Sequence, residues 1–476
     1  MKEAAPAARS PDINFSIALG LGAFLIRAIA ALWLAREPIW DGHYYHFGAQ
    51  RIAQGQGYSE DALVQGVTVW KPWAHYPVGY SGFLGGIYRI FGSGLEIAPL
   101  ANALLGALTV VLSFRIARTF LSTRRSYVAG ILVALHPGLV AYTAAVMTEG
   151  LASFLLLLAA WLLIRSRGSL GGAALHGVSL GLATLVRPTS LFILPLVFLV
   201  NFQSKKLAFA RLIVSCVLAL LVIAPWTIRN CVRMDGCTLV STNGGWNLAI
   251  GALTEDGRFR TLRPRDGCEV VTGQVQQDRC WANVGLATIM KSPLHWLGLM
   301  PDKLRQTFNH ESFIVEYLHE ADPTRWNETL RAQARAWLTR FHGMLLWASA
   351  FSIVGLGPLL PCFLKSARIP HWRRPALTQG VLLLTFVLGG AFALSDDFHP
   401  FWPFALVPAL VSLLRLPGQP EIGPVGRYLF GLILSTALVH AVFFGDDRYH
   451  LVISPVLCIL AAAALRGPTP RTSELP

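Results

Sequence analysis

Charge is what this chain has least of. Only 14% of its 476 residues are Asp, Glu, Lys or Arg, while 54% are hydrophobic. Apolar runs recur at about 20 residues, the length that spans a bilayer core. Such a chain reads as an all-α polytopic membrane protein. Twelve spans are expected, at 13–35, 96–117, 127–146, 148–164, 171–186, 188–202, 208–228, 342–364, 376–394, 401–415, 427–444 and 450–465, with three short ones open to being re-entrant. The run Leu84 to Phe91 is too short to cross and reads as an interfacial helix. The first apolar run reaches full spanning length with no small-residue cleavage site after it, so no cleavable signal peptide is expected.

Acids are scarcer still on one side. With the N-terminus inside, the segments predicted to be cytoplasmic carry 19 basic groups against four acids, Glu3, Asp12, Glu421 and Glu474. The segments predicted outside are nearly balanced. This is the positive-inside pattern, so the formal charge of +14 reports topology and not a nucleic-acid partner. The expected organisation is a cytoplasmic tail 1–12, a membrane domain 13–228 with a first external loop 36–95, an external loop domain 229–341, a second membrane domain 342–465 and a tail 466–476. The long loop, about 110 residues with amphipathic runs near 294–308 and 327–341, is expected as a partly ordered external cap with amphipathic helices.

Other absences narrow the chemistry. No Walker motif or glycine-rich dinucleotide loop occurs, so an enzyme built on this chain would draw on a pre-activated lipid donor and not on a nucleotide. There is no two-halves repeat of the kind common in transporters. No Cys-x-x-Cys spacing points to zinc. Cys216, Cys362 and Cys458 lie in or beside spans as small core residues. Cys231, Cys237, Cys268 and Cys280 all fall in the long external loop, where an oxidising compartment allows three pairings. Cys231 with Cys237 and Cys268 with Cys280 is the expected one.

The few charges near span ends gather on the predicted outer side: Asp41, Glu149, Arg187, Asp396, Asp397, Asp446, Asp447 and Arg448, with His75 and His450 close by. A charge beside a dry bilayer is costly, so this set reads as an outward-facing pocket. Carboxylates supply a base, and guanidinium groups bind phosphate oxygens bidentately. Asp41, in Trp40-Asp41-Gly42-His43-Tyr44-Tyr45, is the candidate base; its plainer role is a helix cap or an arginine's partner. Glu149 sits in a first helical turn, where an acid also complements the dipole. Arg187 and Arg448 are phosphate candidates or partners of nearby acids. Arg27, inside the first span, is expected in a buried ion pair. His75 and His450 are candidates with Glu149 for a metal, on a spacing that signals nothing by itself. No metal ligand is assigned, and a divalent cation stays open as a cofactor.

Several segments resemble the GT-C class of membrane glycosyltransferases that use polyprenyl-phosphate sugars, nearest to the bacterial aminoarabinose transferases and the related protein O-mannosyltransferases. They are Trp40 to Tyr45, His75-Tyr76-Pro77-Val78-Gly79-Tyr80, Tyr142-Thr143 through Thr148-Glu149, Leu185 to Pro188, Ala224 to Asn230, Ser241 to Leu248, and Arg448-Tyr449-His450, in order over nearly the whole chain. The resemblance implies a GT-C fold and an inverting transfer of a sugar from a polyprenyl-phosphate carrier to an envelope lipid or glycan, on the outer face of the cytoplasmic membrane. It implies Asp41 as base, Glu149 as the second acid, and Tyr44, Tyr45, His75, Tyr80, Arg187, Asn243, Arg448 and Tyr449 as substrate contacts. Two departures stand out. Gly42 follows Asp41 where protein mannosyltransferases carry a glutamate, and Ala74-His75-Tyr76 replaces the aminoarabinose branch's acid and Lys-Pro, so that branch's metal ligation is not carried over. A monomer is expected, and a non-catalytic carrier or flippase of lipid-linked sugars is the rival reading.

Overall fold

Helix lengths, and the breaks between helices, decide how this chain meets a membrane. The computed structural model describes residues 10–64, 66–200, 204–354, 373–395, 399–414 and 423–465. Five described helices are long and apolar enough to cross a bilayer: Asp12–Leu34, Ile97–Ala117, Lys205–Arg233, Gly423–Val442 and Asp447–Ala464. The pair Thr123–Leu135 and Pro137–Ala144, bent by 46°, adds a sixth if it counts as one span. Among the described residues the protein is therefore a multi-pass helical membrane protein with five or six such spans, and the expected twelve are not seen. The tail 466–476, most of 1–12, the later part of the expected span 342–364, and Asp396 and Asp397 lie outside the described residues.

The smaller count has a physical cause. Several apolar runs fold as short pieces: helices Glu149–Arg165 and Leu170–Val186 of 17 residues each, a 12-residue 3-10 stretch Pro188–Leu199, and the 13-residue helix Trp402–Leu414. Seventeen α-helical residues reach about 26 Å, short of a core about 30 Å thick. The 3-10 stretch reaches about 24 Å from only 12 residues, because its rise is larger. Hydropathy registers the apolar run and is blind to this geometry.

Pro137 shows how a break is made tolerable. It has no N–H, so the carbonyl four residues earlier, Val133, loses its helical partner. Arg27 fills the gap, donating from Nη2 to Val133 O at 2.8 Å and from Nη1 to Ala134 O at 2.9 Å. The hydrogen bonds of this buried guanidinium thus go to carbonyls, not to the acid that the sequence led us to expect. On the outside of the first helix, Leu21, Leu25, Ile29, Leu32 and Trp33 are exposed, as are Val217, Leu220 and Leu221 on the helix Lys205–Arg233. Apolar stripes of this size face lipid.

The membrane helices meet in one large core. The helix expected at Leu84 to Phe91 is longer, Val78–Phe91; it begins after Pro77 and buries Tyr80, Leu84 and Tyr88 against the helix Asp41–Ala53. Between these two helices lies an unanticipated antiparallel hairpin, Ser59–Val64 paired with Val67–Pro72, in register Asp61 to Trp70. Its β-branched run Val67-Thr68-Val69 suits a strand. Arg229 ties the base of the hairpin to the helix Lys205–Arg233, donating to Tyr58 O at 2.6 Å and Trp73 O at 3.0 Å.

The region 229–341 divides its packing. Helices Gly244–Leu253 and Gln274–Lys291 form a second small core with Leu262 and Trp281, and Phe444 and Tyr449 from the C-terminal part complete it. Cys268 and Cys280 are bonded across it, and Cys231 and Cys237 are bonded at the end of the long helix. Farther along, Phe308, Ile314, Tyr317 and Leu318 belong to the main core.

Candidate functional site

A tight turn aims Asp41. Trp40 adopts φ 49°, a conformation that bulky residues rarely take, and its ring rests on Phe313 and Tyr317, at 5.5 and 5.8 Å between centroids. Asp41 then opens the helix Asp41–Ala53. Its Oδ1 accepts from the Tyr76 hydroxyl at 2.6 Å, and its Oδ2 from Arg448 Nη1 at 2.7 Å, across 407 residues of sequence. The carboxylate keeps 23% of its surface accessible, so it is held but not sealed. Burial pushes its pKa up. The charge of Arg448, with the hydrogen bonds from Tyr76 and Arg448, outweighs burial and holds Asp41 below its ordinary value.

Glu149 has the same two kinds of partner. It opens the helix Glu149–Arg165 and is 3% exposed. Tyr142 donates to its Oε2 at 2.8 Å and Arg187 Nη1 to its Oε1 at 2.7 Å. Arg187 ends the next helix, Leu170–Val186, as its C-cap. Tyr449 separates the two pairs: Arg187 lies 5.0 Å from its ring centre, Arg448 5.2 Å, and His440 stacks on it at 3.9 Å. Arg448 also lies 5.1 Å from the Phe313 ring and has Asp446 Oδ2 3.6 Å from its Nε. Two acid–tyrosine–arginine sets thus flank one aromatic wall.

Two hollows adjoin these sets. One, with about 520 Å³ of empty space, runs from Glu149 and Tyr142 past Thr143 and Asn102 to Arg27. The other, about 400 Å³, has Arg187, Tyr449 and His440 at its polar part and Leu156, Ile193 and Val439 along its apolar part.

The remaining expected residues divide. Tyr44 is 47% exposed beside Trp73 and Tyr76. His75 packs edge-on to Tyr76 and Trp246; burial lowers its pKa, partly offset by Asp41. Tyr45 and Tyr80 are buried, and Tyr80 donates to Asn102 at 3.0 Å, which makes both of them packing residues in this structure. Asn243 accepts from Ser241 at 2.8 Å; its neighbour Thr242 reaches Ala74 O, so the cap touches the His75 segment there. His450 does not join His75 and Glu149. It turns instead to Glu311 and His342, a buried trio with the make-up to hold a metal. Tyr76, Tyr142 and Phe313 were not expected as site residues. The first two lie in the very segments that carry the family resemblance, and that was the available signal.

Residues 75–228 match one protein family. Its description is dolichyl-phosphate-mannose-protein mannosyltransferase, and the match covers roughly a third of the chain, from His75 through Glu149 and Arg187. The resemblance read from the sequence therefore holds over that segment. No curated protein matches the chain. Among solved structures, the oligosaccharyltransferase AglB from Archaeoglobus fulgidus, in complex with an inhibitory peptide and a dolichol-phosphate, is similar at 14% identity and a TM-score of 0.43, covering 94% of this chain. This chain spans about half of AglB's length, 50%. ArnT from Cupriavidus metallidurans bound to undecaprenyl phosphate is similar at 14% identity and a TM-score of 0.38, covering 96% of this chain and 78% of ArnT.

Proposed function

We propose that this protein is a GT-C-type membrane glycosyltransferase that moves a sugar from a polyprenyl-phosphate carrier to a hydroxyl or phosphate of an envelope lipid or glycan, with inversion. The observation that carries the reading is the pairing of Asp41 with Arg448 and Tyr76 beside the matching Glu149–Arg187 pair. A base and two cations within one aromatic site are what transfer from a phosphate-linked donor needs. The apolar hollow headed by Arg187 suits a phosphate with an isoprenoid tail.

In this reading Asp41 takes the proton of an acceptor hydroxyl as the acceptor oxygen bonds to the anomeric carbon; an ionised phosphate acceptor attacks without giving up a proton. The bond from that carbon to the phosphate oxygen breaks on the opposite face, and polyprenyl phosphate leaves with the electron pair. Arg448 and Arg187 neutralise it. As Arg448 turns from Asp41 toward the phosphate, the carboxylate loses the cation that depresses its pKa. Burial then raises its basicity at the moment a base is wanted. Glu149, fixed by Tyr142 and Arg187, orients the acceptor. The glutamate that follows the aspartate in protein mannosyltransferases is absent here and would be crowded at this position. A Cβ at Gly42 would stand 2.9 Å from Tyr317 Oη and 3.1 Å from Val146 O, which argues against a protein acceptor. The site would face the outer side of the cytoplasmic membrane, as the charge asymmetry indicates.

The test is purified protein in lipid, offered a panel of synthetic polyprenyl-phosphate hexoses and pentoses with candidate acceptors. Release of polyprenyl phosphate with formation of an inverted glycoside is the expected result. Donor binding without turnover across the panel would favour a lipid-sugar carrier and overturn the proposal.

A further inference from the structure

Glu311, His342 and His450 come from three separate places: the segment before the helix Phe313–Ala321, the helix Glu328–Ala350 and the turn Asp447–Ile453. Both histidines are fully buried and Glu311 is 2% exposed. His342 Nε2 lies 3.1 Å from Phe308 O, and His450 Nδ1 lies 2.7 Å from Thr307 O. A carbonyl only accepts, so these nitrogens carry the ring protons. In the neutral rings, His342 Nδ1 and His450 Nε2 are then lone pairs, and they face Glu311 Oε2 at 3.8 and 3.6 Å. Neither of these nitrogens and neither oxygen of Glu311 has a hydrogen-bond partner.

Acceptors gathered around one point without a donor repel one another unless a cation lies between them. The separations are too long for hydrogen bonds. They are close to the spacing around a metal, since ligand atoms bonded at about 2.0–2.1 Å to a tetrahedral ion sit about 3.4 Å apart. All three ligand atoms lie within 4.8 Å of one another. Each histidine already has the outer partner that metal-binding histidines almost always have, its second N–H on a backbone carbonyl. Gly138 leaves room for the carboxylate: a Cβ there would fall 1.4 Å from Glu311 Oε1.

We propose that Glu311, His342 and His450 bind one divalent transition-metal ion of the zinc class. Two imidazoles and one carboxylate suit zinc, whereas calcium and magnesium take oxygen donors. The ion would brace the back of the candidate site. Ser312 and Phe313 already donate from their backbone to Asp447 Oδ2, with Ser312 Oγ adding a bond at 2.8 Å, and the Phe313 ring lies beneath Arg448. A metal on Glu311 and His450 would fasten the same two segments again, so these three residues would brace the fold around Phe313 and Arg448. The metal site does not depend on the glycosyl-transfer reading.

The test uses the full chain without a polyhistidine tag, stripped with chelator, dialysed against zinc and analysed for metal. One zinc per chain is expected, with metal affinity falling at least about tenfold in Glu311→Gln and His450→Asn. His75→Gln keeps the metal. If the variants do not fold, wild type loaded with Co²⁺ decides. Strong visible bands of a four-coordinate ion, displaced by one equivalent of zinc, support the site. Folded wild type without zinc, folded variants that keep it, loss of the metal in His75→Gln, or the weak spectrum of six-coordinate cobalt would overturn it.

Discussion

Two carboxylates adjoin Phe313, Asp41 through Trp40 and Arg448 and Glu311 two residues before it in the chain, and their surroundings are opposite. Asp41 is partly open and receives strong donors, a phenol at 2.6 Å and a guanidinium at 2.7 Å. Glu311 is sealed and has two imidazole nitrogens at 3.6 and 3.8 Å, with no hydrogen bond to either. The contrast separates reaction from scaffold. A base that must meet substrate can be held ionised by partners able to move away, whereas an acid that only braces the fold can be given to an ion that stays.

The largest expected effect lies on the Asp41 side. Arg448→Gln removes both the phosphate's cation and the partner of Asp41, and donor turnover should fall by about 10²–10³-fold. Its pH profile sharpens the point. In wild type Asp41 is depressed, so the pair is intact above the ordinary carboxylate pKa and is lost only as pH falls through the lower folded value. The acid limb of kcat/KM should therefore lie below the ordinary aspartate range in wild type. In Arg448→Gln, burial is less opposed and the limb moves to higher pH. A limb that stays in place would mean Arg448 acts without touching Asp41.

Arg187→Gln comes next. Its partner Glu149 remains held by Tyr142 at 2.8 Å, so the expected loss is smaller, about tenfold, and shows mainly in the KM for donor. On the Glu311 side the effects should be on stability. Gly138→Ala pushes a methyl into the Glu311 carboxylate and should cost about 1–3 kcal/mol, read as a lower melting temperature in detergent. Replacing Cys268 and Cys280 by alanine releases a crosslink of separation 12 and should cost about 2–3 kcal/mol, with turnover per folded molecule preserved. A turnover loss in the cysteine variant would tie the cap to chemistry through Tyr449, which shares its small core.

Asp41, Glu149, Arg187 and Arg448 were legible because a charge beside an apolar run is costly and rare enough to notice. Their pairing was not, since Arg448 reaches Asp41 from 407 residues away. Tyr76 and Tyr142 were overlooked because a phenol that donates to an acid looks, in sequence, like any aromatic of the headgroup belt. Glu311 is one of many acids in a long loop, and only folding sets it against His342 and His450. His450 was noticed but given the wrong partners, because proximity to a span end says nothing about which way a ring faces. The helical, multi-pass character followed from composition. The count of twelve spans is not confirmed among the described residues, where Pro137, Pro188 and Pro195 cut apolar runs into bent, short or 3-10 pieces whose length no hydropathy window measures.

The most direct test of the central claim is donor turnover per folded molecule in Asp41→Asn, with melting temperature recorded beside it. Turnover should fall by at least about 10²-fold while the protein melts close to wild type, because asparagine keeps the shape of the side chain and loses only the base. Wild-type turnover in a folded Asp41→Asn would contradict the account and leave Asp41 as the partner of an arginine and nothing more.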